Sequence, residues 1–513
     1  MVDQLRDFFW AMKWANPRSG SGTVAELWTQ GEFDQARSAA RMGRTTYPIF
    51  ISPQGWPDPD LVEFAVSGDL AAKARSTQTT YAHEIWAWLD FLYEKKHGLD
   101  WRDATVEDLR DYEYWRCRDT KSEDRRKRLV GGDTWQKILA AIACLYDWAV
   151  HRKIVATSPA VYRALTGRGG SGRGRLEQRP TDVQRSDVRW LTRRAYERWR
   201  RIGFEDYNAA GLRRGIERIR TTSRNVAFAD FAYGTGLRRR EIGGLLTIDL
   251  PRLDEDASML SGWLAAALGK GRRGRVFYID RRHLTRVYAY IRDQRRLSIK
   301  RAEHHGRYDE IPDKMIVTNV RRLGGRNATV TYTDEFGGAP QRNVLNAVPL
   351  DQRMRMFQQT EDGLEPLWLW LRENGLPQPI ERWNSVFAEA NKRMVREGLK
   401  QHVTPHMLRH SYALHMLCQA QNAYLLRSGM APDERRQYQA LFGNVWELVR
   451  DLLGHASVET TKDWYLEPVR GLHWQTLLMA QDDSPVADTD TILSLVSKHS
   501  GLVYDVPKDL RGN

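Results

Sequence analysis

The sequence predicts a mainly α-helical chain with a small antiparallel β-sheet in its C-terminal half. Apolar residues recur at three- and four-residue spacing over long stretches, notably between Ser76 and Pro159 and between Trp383 and Leu453. Hairpin and alternating patterns fall in the C-terminal half, at residues 263–280 and 328–333. At 513 residues the chain is long enough for about three domains, each with its own core.

Residues 1–74 read as an accessory segment, with helical spacing near Leu5, Phe8, Phe9 and Met12 and then a Pro/Gly/Ser break at Pro17 to Gly22. The next segment, 75–165, reads as helical. Tyr81, Ile85, Trp88, Leu89 and Leu92 mark one helix, Thr105 and Asp108 a capping-box start to a second, and Trp135 to Val150 another. Its aromatic stripes read as core. Between the helices lies a basic loop, Lys121 to Arg128, with Arg126 and Arg128 as candidates for phosphate contact against the alternative of a solvated charge run. Residues 166–187 form a glycine-rich linker carrying Arg168, Arg173 and Arg175, a flexible basic tether.

A further domain is expected over 188–470. Trp263 to Leu268, a turn of Gly269 to Gly274, and Arg275 to Asp280 read as a β-hairpin with Lys270 at its tip. Two interruptions follow, a β-rich one at about 300–363 and another at about 419–441, and residues 471–513 form a tail with an apolar segment at Thr491 to Val496.

Charge narrows the partners. Lys and Arg total 79 against 65 Asp and Glu, a formal charge of +14, which points to a polyanion such as nucleic acid. The three cysteines, Cys117, Cys144 and Cys418, are too dispersed for a disulfide framework or a thiolate zinc site and fit a reducing cytoplasm. No apolar run approaches the roughly 20 residues of a membrane span, and the N-terminus lacks the order of a signal peptide. A soluble, cytoplasmic protein with no membrane partner is the expectation.

The stretch from His402 to Tyr465 carries the chemistry. Thr404 and Pro405 open a helix that places His406 and Arg409 on one face, three residues apart. Leu448, Val449, Leu452 and Leu453 lead to a Gly454 stop and then His455, and Tyr465 follows ten residues later. Upstream stand Thr235, Gly236, Leu237 and Arg238, with Glu241 next, and the Gly269, Lys270, Gly271 turn. In this order the motifs resemble the active site of the tyrosine recombinase (phage integrase) family.

The resemblance implies a helical core-binding domain at 75–165 and an α+β catalytic domain at 188–470 that close as a C-shaped clamp around double-stranded DNA. Residues 1–74 would then be an arm or accessory domain. It assigns Tyr465 as nucleophile, Arg238 and Arg409 as stabilisers of the phosphate, Lys270 as the acid for the leaving 5′ oxygen, His406 as an acid/base group and His455 as a donor to phosphate. Glu241 would orient the site. Two fixed guanidinium forks suit the charge that develops on non-bridging oxygens, so neither a cofactor nor a metal is expected. A homotetramer on two DNA sites, assisted by a DNA-bending or directionality protein, is implied as well, with integration or excision of a mobile element as the use.

Besides the two interruptions, the sequence departs from the family's pattern within the motifs at one place: nine residues after His455, where its tyrosine usually stands, lies Trp464. Two other readings stay open: a catalytically inactive DNA-binding member of the family, if Trp464 marks loss of the nucleophile, and a type IB topoisomerase-like enzyme using the same chemistry, which the helical core-binding domain disfavours. A zinc helix is disfavoured, because His406 and His410 flank Arg409 rather than a glutamate.

Overall fold

The computed structural model describes residues 9–15, 46–66, 68–119, 129–163, 175–177, 189–215, 221–322, 328–426, 445–455, 457–459 and 461–462. The chain divides into two compact units, Met1–Gln184 and Arg185–Asn513.

The first unit pairs strand β1 (Ala11–Ala15) antiparallel with β2 (Tyr47–Ile51) and adds helices α1 (Pro59–Val66), α2 (Arg75–Lys95), α3 (Val106–Cys117) and α4 (Gly132–His151). A short pair, β3 (Tyr162–Arg163) and β4 (Arg175–Leu176), follows. Met12, expected on a helical stripe, lies in a strand, because its segment is captured by long-range pairing to Phe50. The helices form where the apolar spacing places them. Ile85, Trp88, Leu89 and Leu92 of α2 are buried against Trp135, Ile138, Leu139 and Ile142 of α4. α3 starts on the Thr105/Asp108 capping box, with Asp108 Oδ2 accepting from Thr105 N at 2.9 Å.

The aromatic stripes are core, and the polar tips of Trp88 and Tyr146 are satisfied. Trp88 Nε1 donates to Tyr146 Oη at 3.1 Å, and that hydroxyl donates to Trp101 O at 2.6 Å. Truncating a buried tryptophan of this kind costs ~3–5 kcal/mol. Phe50, Leu61, Phe64 and Leu70 share the same core. The described residues between 46 and 74 thus contribute to the core of the helical unit. Buried Asp58 fastens the join, accepting from Leu61 N, Trp101 Nε1 and Arg102 Nη2 at 3.0, 3.2 and 3.0 Å.

The second unit opens with α5 (Arg193–Phe204), α6 (Thr222–Thr235) and the short α7 (Arg239–Gly243). The hairpin β5 (Met259–Leu264) and β6 (Arg275–Asp280) follows, then α8 (Arg281–Tyr290), a π-helical turn at Ile291–Arg295 and α9 (Arg296–His304). Relative to expectation the hairpin's first strand lies earlier, and Ala265 to Leu268 turn away from the ladder. Residues 315–366 supply β7 (Met315–Arg321), β8 (Thr329–Thr333), β9 (Gln341–Val344), the short helix α10 (Leu350–Arg353), β10 (Met356–Thr360) and β11 (Gly363–Pro366). These strands form one sheet in the order β11-β10-β7-β8-β9. It is mixed rather than purely antiparallel, since β10 runs parallel to β7.

Helices α11 (Arg382–Arg396), α12 (Pro405–Leu426) and α13 (Val445–Leu453) complete the unit. α12 runs on past Gln419, where an interruption was expected. The main core gathers Trp199, Phe228, Trp383 and Phe387, with Phe228 stacked on Trp383 at 3.6 Å between ring centroids. The five-stranded sheet covers a second core around Val317, Val330, Met356, Phe357 and Trp368. Fully buried Arg295, delivered by the π-helical turn, donates to the carbonyls of Leu369 and Trp368 at 3.2 and 3.1 Å and also pairs with Pro366 O and Glu365. No described helix is long and apolar enough to cross a membrane.

Candidate active site

Four of the six expected catalytic residues come together in the second unit, around Glu241. α6 ends on Gly236 with a left-handed φ of 62°, and a Cβ there would lie 2.3 Å from the Tyr412 ring, so only glycine permits this turn. Arg238 then caps α7. Buried Glu241 accepts from Arg238 N at 2.8 Å and from Arg238 Nη1 at 3.0 Å, fixing both the backbone and the guanidinium of that arginine.

Arg275, the first residue of β6, holds the other side of Glu241. Its Nη1 and Nη2 donate to Glu241 Oε1 and Oε2 at 3.1 and 2.7 Å, a bidentate pair, and its Nε donates to Leu452 O at 3.2 Å. Gly454 leaves room for this arginine, since a Cβ there would come within 3.0 Å of Nη1. Arg275, expected only as the start of the hairpin's second strand, is thus a member of the site. A signal was available: it stands in register with inward-facing Phe277 and Ile279 on an alternating strand, where a charge demands a buried partner.

Arg409 lies on α12 and is only 1% exposed. Its Nη1 donates to Gly236 O at 2.7 Å and its Nη2 to Leu453 O at 2.6 Å, tying the Thr-Gly-Leu turn to the end of α13. The same contacts place it beside Arg238, two residues beyond Gly236. His406 stands one turn earlier on α12. His455 follows α13, where its backbone N–H donates to Arg450 O at 3.0 Å and its Nδ1 lies 2.9 Å from Thr461 Oγ1.

The electrostatics show the convergence. Burial pushes the Glu241 carboxyl up, but hydrogen bonds and charge from Arg275 and Arg238 outweigh it and hold the group below its ordinary range. His406 is held below the usual imidazole value by lost hydration, then by Arg409 and Arg238. His455 is pushed down to about 3 by burial, then by Arg409, Arg238 and Arg275. Buried His410, 4.4 Å from His406 between ring centroids, is likewise pushed down to about 3, first by burial and then by His406, Arg409 and His455. With its histidines neutral and three guanidinium groups set against the one carboxylate of Glu241, the cluster is electropositive, which favours an anion and repels a metal cation.

A pH dependence follows. His410 and His455 stay neutral in the folded chain down to about 3 but take up protons near a pKa of about 6.5 when unfolded. The second unit is expected to lose stability as pH falls through that window. Thermal unfolding between pH 7.5 and 4.5 checks this: the wild-type Tm should fall more steeply than that of His410→Asn, and equal slopes would count against the assignment.

Lys270 is not brought into the cluster. It lies exposed in the 3₁₀ turn Lys270–Arg272 at the hairpin tip. Tyr465, Trp464, Arg126, Arg128, Arg168 and Arg173 lie outside the described residues, and of Arg175 only the backbone is described, paired in β4 with Arg163.

No family model matches the sequence, and no curated protein matches it. The solved structures to which the chain is similar include a site-specific recombinase, a further recombinase and an integrase. One is XerH site-specific recombinase bound to difH substrate in a pre-cleavage complex, at 12% identity and a TM-score of 0.40, covering 88% of this chain and 91% of that one. A second is a lambda integrase (75-356) dimer bound to a COC' core site, at 12% identity and a TM-score of 0.34, covering 77% and 89%. A third is XerA recombinase, at 13% identity and a TM-score of 0.27, covering 79% and 92%.

Proposed function

We propose that this chain is a tyrosine recombinase that cleaves and rejoins DNA at specific sites through a 3′-phosphotyrosyl intermediate. The observation that carries the reading is the gathering of Arg238, Arg409, His406 and His455 around the Glu241–Arg275 pair. Two guanidinium groups held in place before substrate arrives offer preorganised charge to a phosphate. In this reading the Tyr465 oxygen attacks phosphorus, the bond from phosphorus to the 5′ oxygen breaks, and Lys270 donates a proton to that oxygen. His455 donates to a non-bridging oxygen, and His406 exchanges the tyrosine proton. Rejoining reverses each step, so the bond energy stored in the phosphotyrosine replaces an external energy source.

The two units would close on a duplex as a clamp, with Arg126, Arg128, Arg168, Arg173 and Arg175 on backbone phosphates. Assembly of four copies on two sites, with a DNA-bending or directionality partner, would integrate or excise a mobile element.

Trapping tests the reading. A nicked suicide duplex carrying the element's own end should give a covalent adduct on a denaturing gel with wild type and with the control Tyr438→Phe, whose tyrosine falls in the interruption at about 419–441 and matches no motif of the family. Tyr465→Phe should lower it by on the order of 10³-fold or more. A chain that binds the duplex yet forms no adduct would be the inactive, DNA-binding member of the family.

A further inference from the structure

We infer that Asn346, in the β-rich segment, is a positioning residue for Lys270, and that this segment braces the hairpin loop. The inference takes Lys270's role from the preceding reading; the brace itself stands on geometry alone.

The loop between β5 and β6 has little stiffness of its own. Gly269, Gly271 and Gly274 lie within it, and Gly271 and Arg272 adopt φ of 70° and 54°. A lysine on such a loop, with its flexible four-carbon stem, would rarely sit at a leaving oxygen unless the loop were held. Asn346 holds it. Its Oδ1 accepts from Trp263 Nε1 at 3.0 Å and from Ala266 N at 2.8 Å, and its main-chain O accepts from Ala267 N at 3.1 Å. The loop then closes on this base, with Gly269 N donating to Ala266 O at 3.1 Å just before Lys270. The return leg meets the same side chain, since a Cβ on Gly274 would lie 3.1 Å from Asn346 Oδ1.

The brace is anchored from below. Asn346 sits in the 3₁₀ turn Leu345–Ala347, where fully buried Arg353 donates to Leu345 O at 2.9 Å and to Val348 O at 3.1 Å. Arg353 also pairs with Asp249 Oδ2 at 2.7 Å, and that oxygen accepts from Leu246 N at 2.8 Å. Leu246 follows shortly after α7, so one frame carries both Arg238 and the loop of Lys270.

The experiment uses the full chain with Asn346→Ala, Asn346→Asp, Lys270→Ala and the double variant Lys270→Ala/Asn346→Ala. Hydrogen exchange without DNA should be at least about 10-fold faster over residues 263–274 in Asn346→Ala, unchanged in α6, and close to wild type in Asn346→Asp, which keeps the acceptor. Single-turnover adduct formation on the nicked duplex should slow by about 10-fold or more in Asn346→Ala and recover in Asn346→Asp. That deficit should vanish in the Lys270→Ala background, and also on a duplex whose leaving 5′ oxygen is replaced by sulfur, a leaving group that needs no proton.

Unchanged exchange over 263–274 would overturn the brace. Faster exchange with an adduct deficit that persists in the Lys270→Ala background or on the sulfur duplex would overturn the positioning role. No wild-type adduct on either duplex would overturn the preceding reading and Lys270's role with it, while exchange alone still decides the brace.

Discussion

Glu241→Gln is expected to destabilise the second unit by about 3–5 kcal/mol, the range for removing one member of a buried ion pair. Glu241 is 1% exposed and compensates Arg238 and Arg275 together, so its neutralisation leaves two guanidinium groups facing an amide. Urea unfolding followed by circular dichroism would measure the loss. The pH dependence gives a second check. Because the folded carboxyl titrates below its unfolded value, its stabilisation is present above about 4.3 and is lost as pH falls through the lowered folded value. Glu241→Gln should remove that part of the acid slope. A variant as stable as wild type with the slope intact would show that Glu241 is not the keystone of the cluster.

Arg409→Lys should be nearly as damaging. Charged hydrogen bonds to buried carbonyls are worth about 1.5–3 kcal/mol each, and Arg409 makes two, to Gly236 O and Leu453 O. A lysine ammonium lacks the planar fork and is expected to keep one of them at most. The stability loss should be about 2–3 kcal/mol, and adduct formation should fall by at least about 10²-fold. Near-normal adduct formation by a destabilised Arg409→Lys would make Arg409 a structural bracket only, leaving Arg238 as the stabiliser of the phosphate.

The helices were legible because burial and periodicity agree in them: Ile85, Trp88 and Leu89 face the core as their spacing requires. The candidate cluster was legible for a different reason, that short motifs such as Gly236 to Arg238 encode a backbone turn along with a side chain. What failed were features decided by distant partners. Met12 reads as helical alone and becomes a strand only against Phe50. The apolar run after Trp263 continues past its strand, because Asn346, some eighty residues on, turns Ala266 and Ala267 aside. Arg275 escaped notice among neighbouring arginines, although its place on the inward face of β6 distinguishes it.

The π-helical turn at Ile291–Arg295 sets a limit on how the chain tolerates changes in length. Such a turn holds one residue more than regular helical pitch, and each residue rotates a helix by about 100°. Shortening the turn by one residue would restore an ordinary helix and swing Arg295 away from the carbonyls of Trp368 and Leu369. The strand-rich layer would then lose a buried tether to the helices. Single-residue deletions should therefore be far better accepted at the exposed turn around Phe336 than at this helical joint.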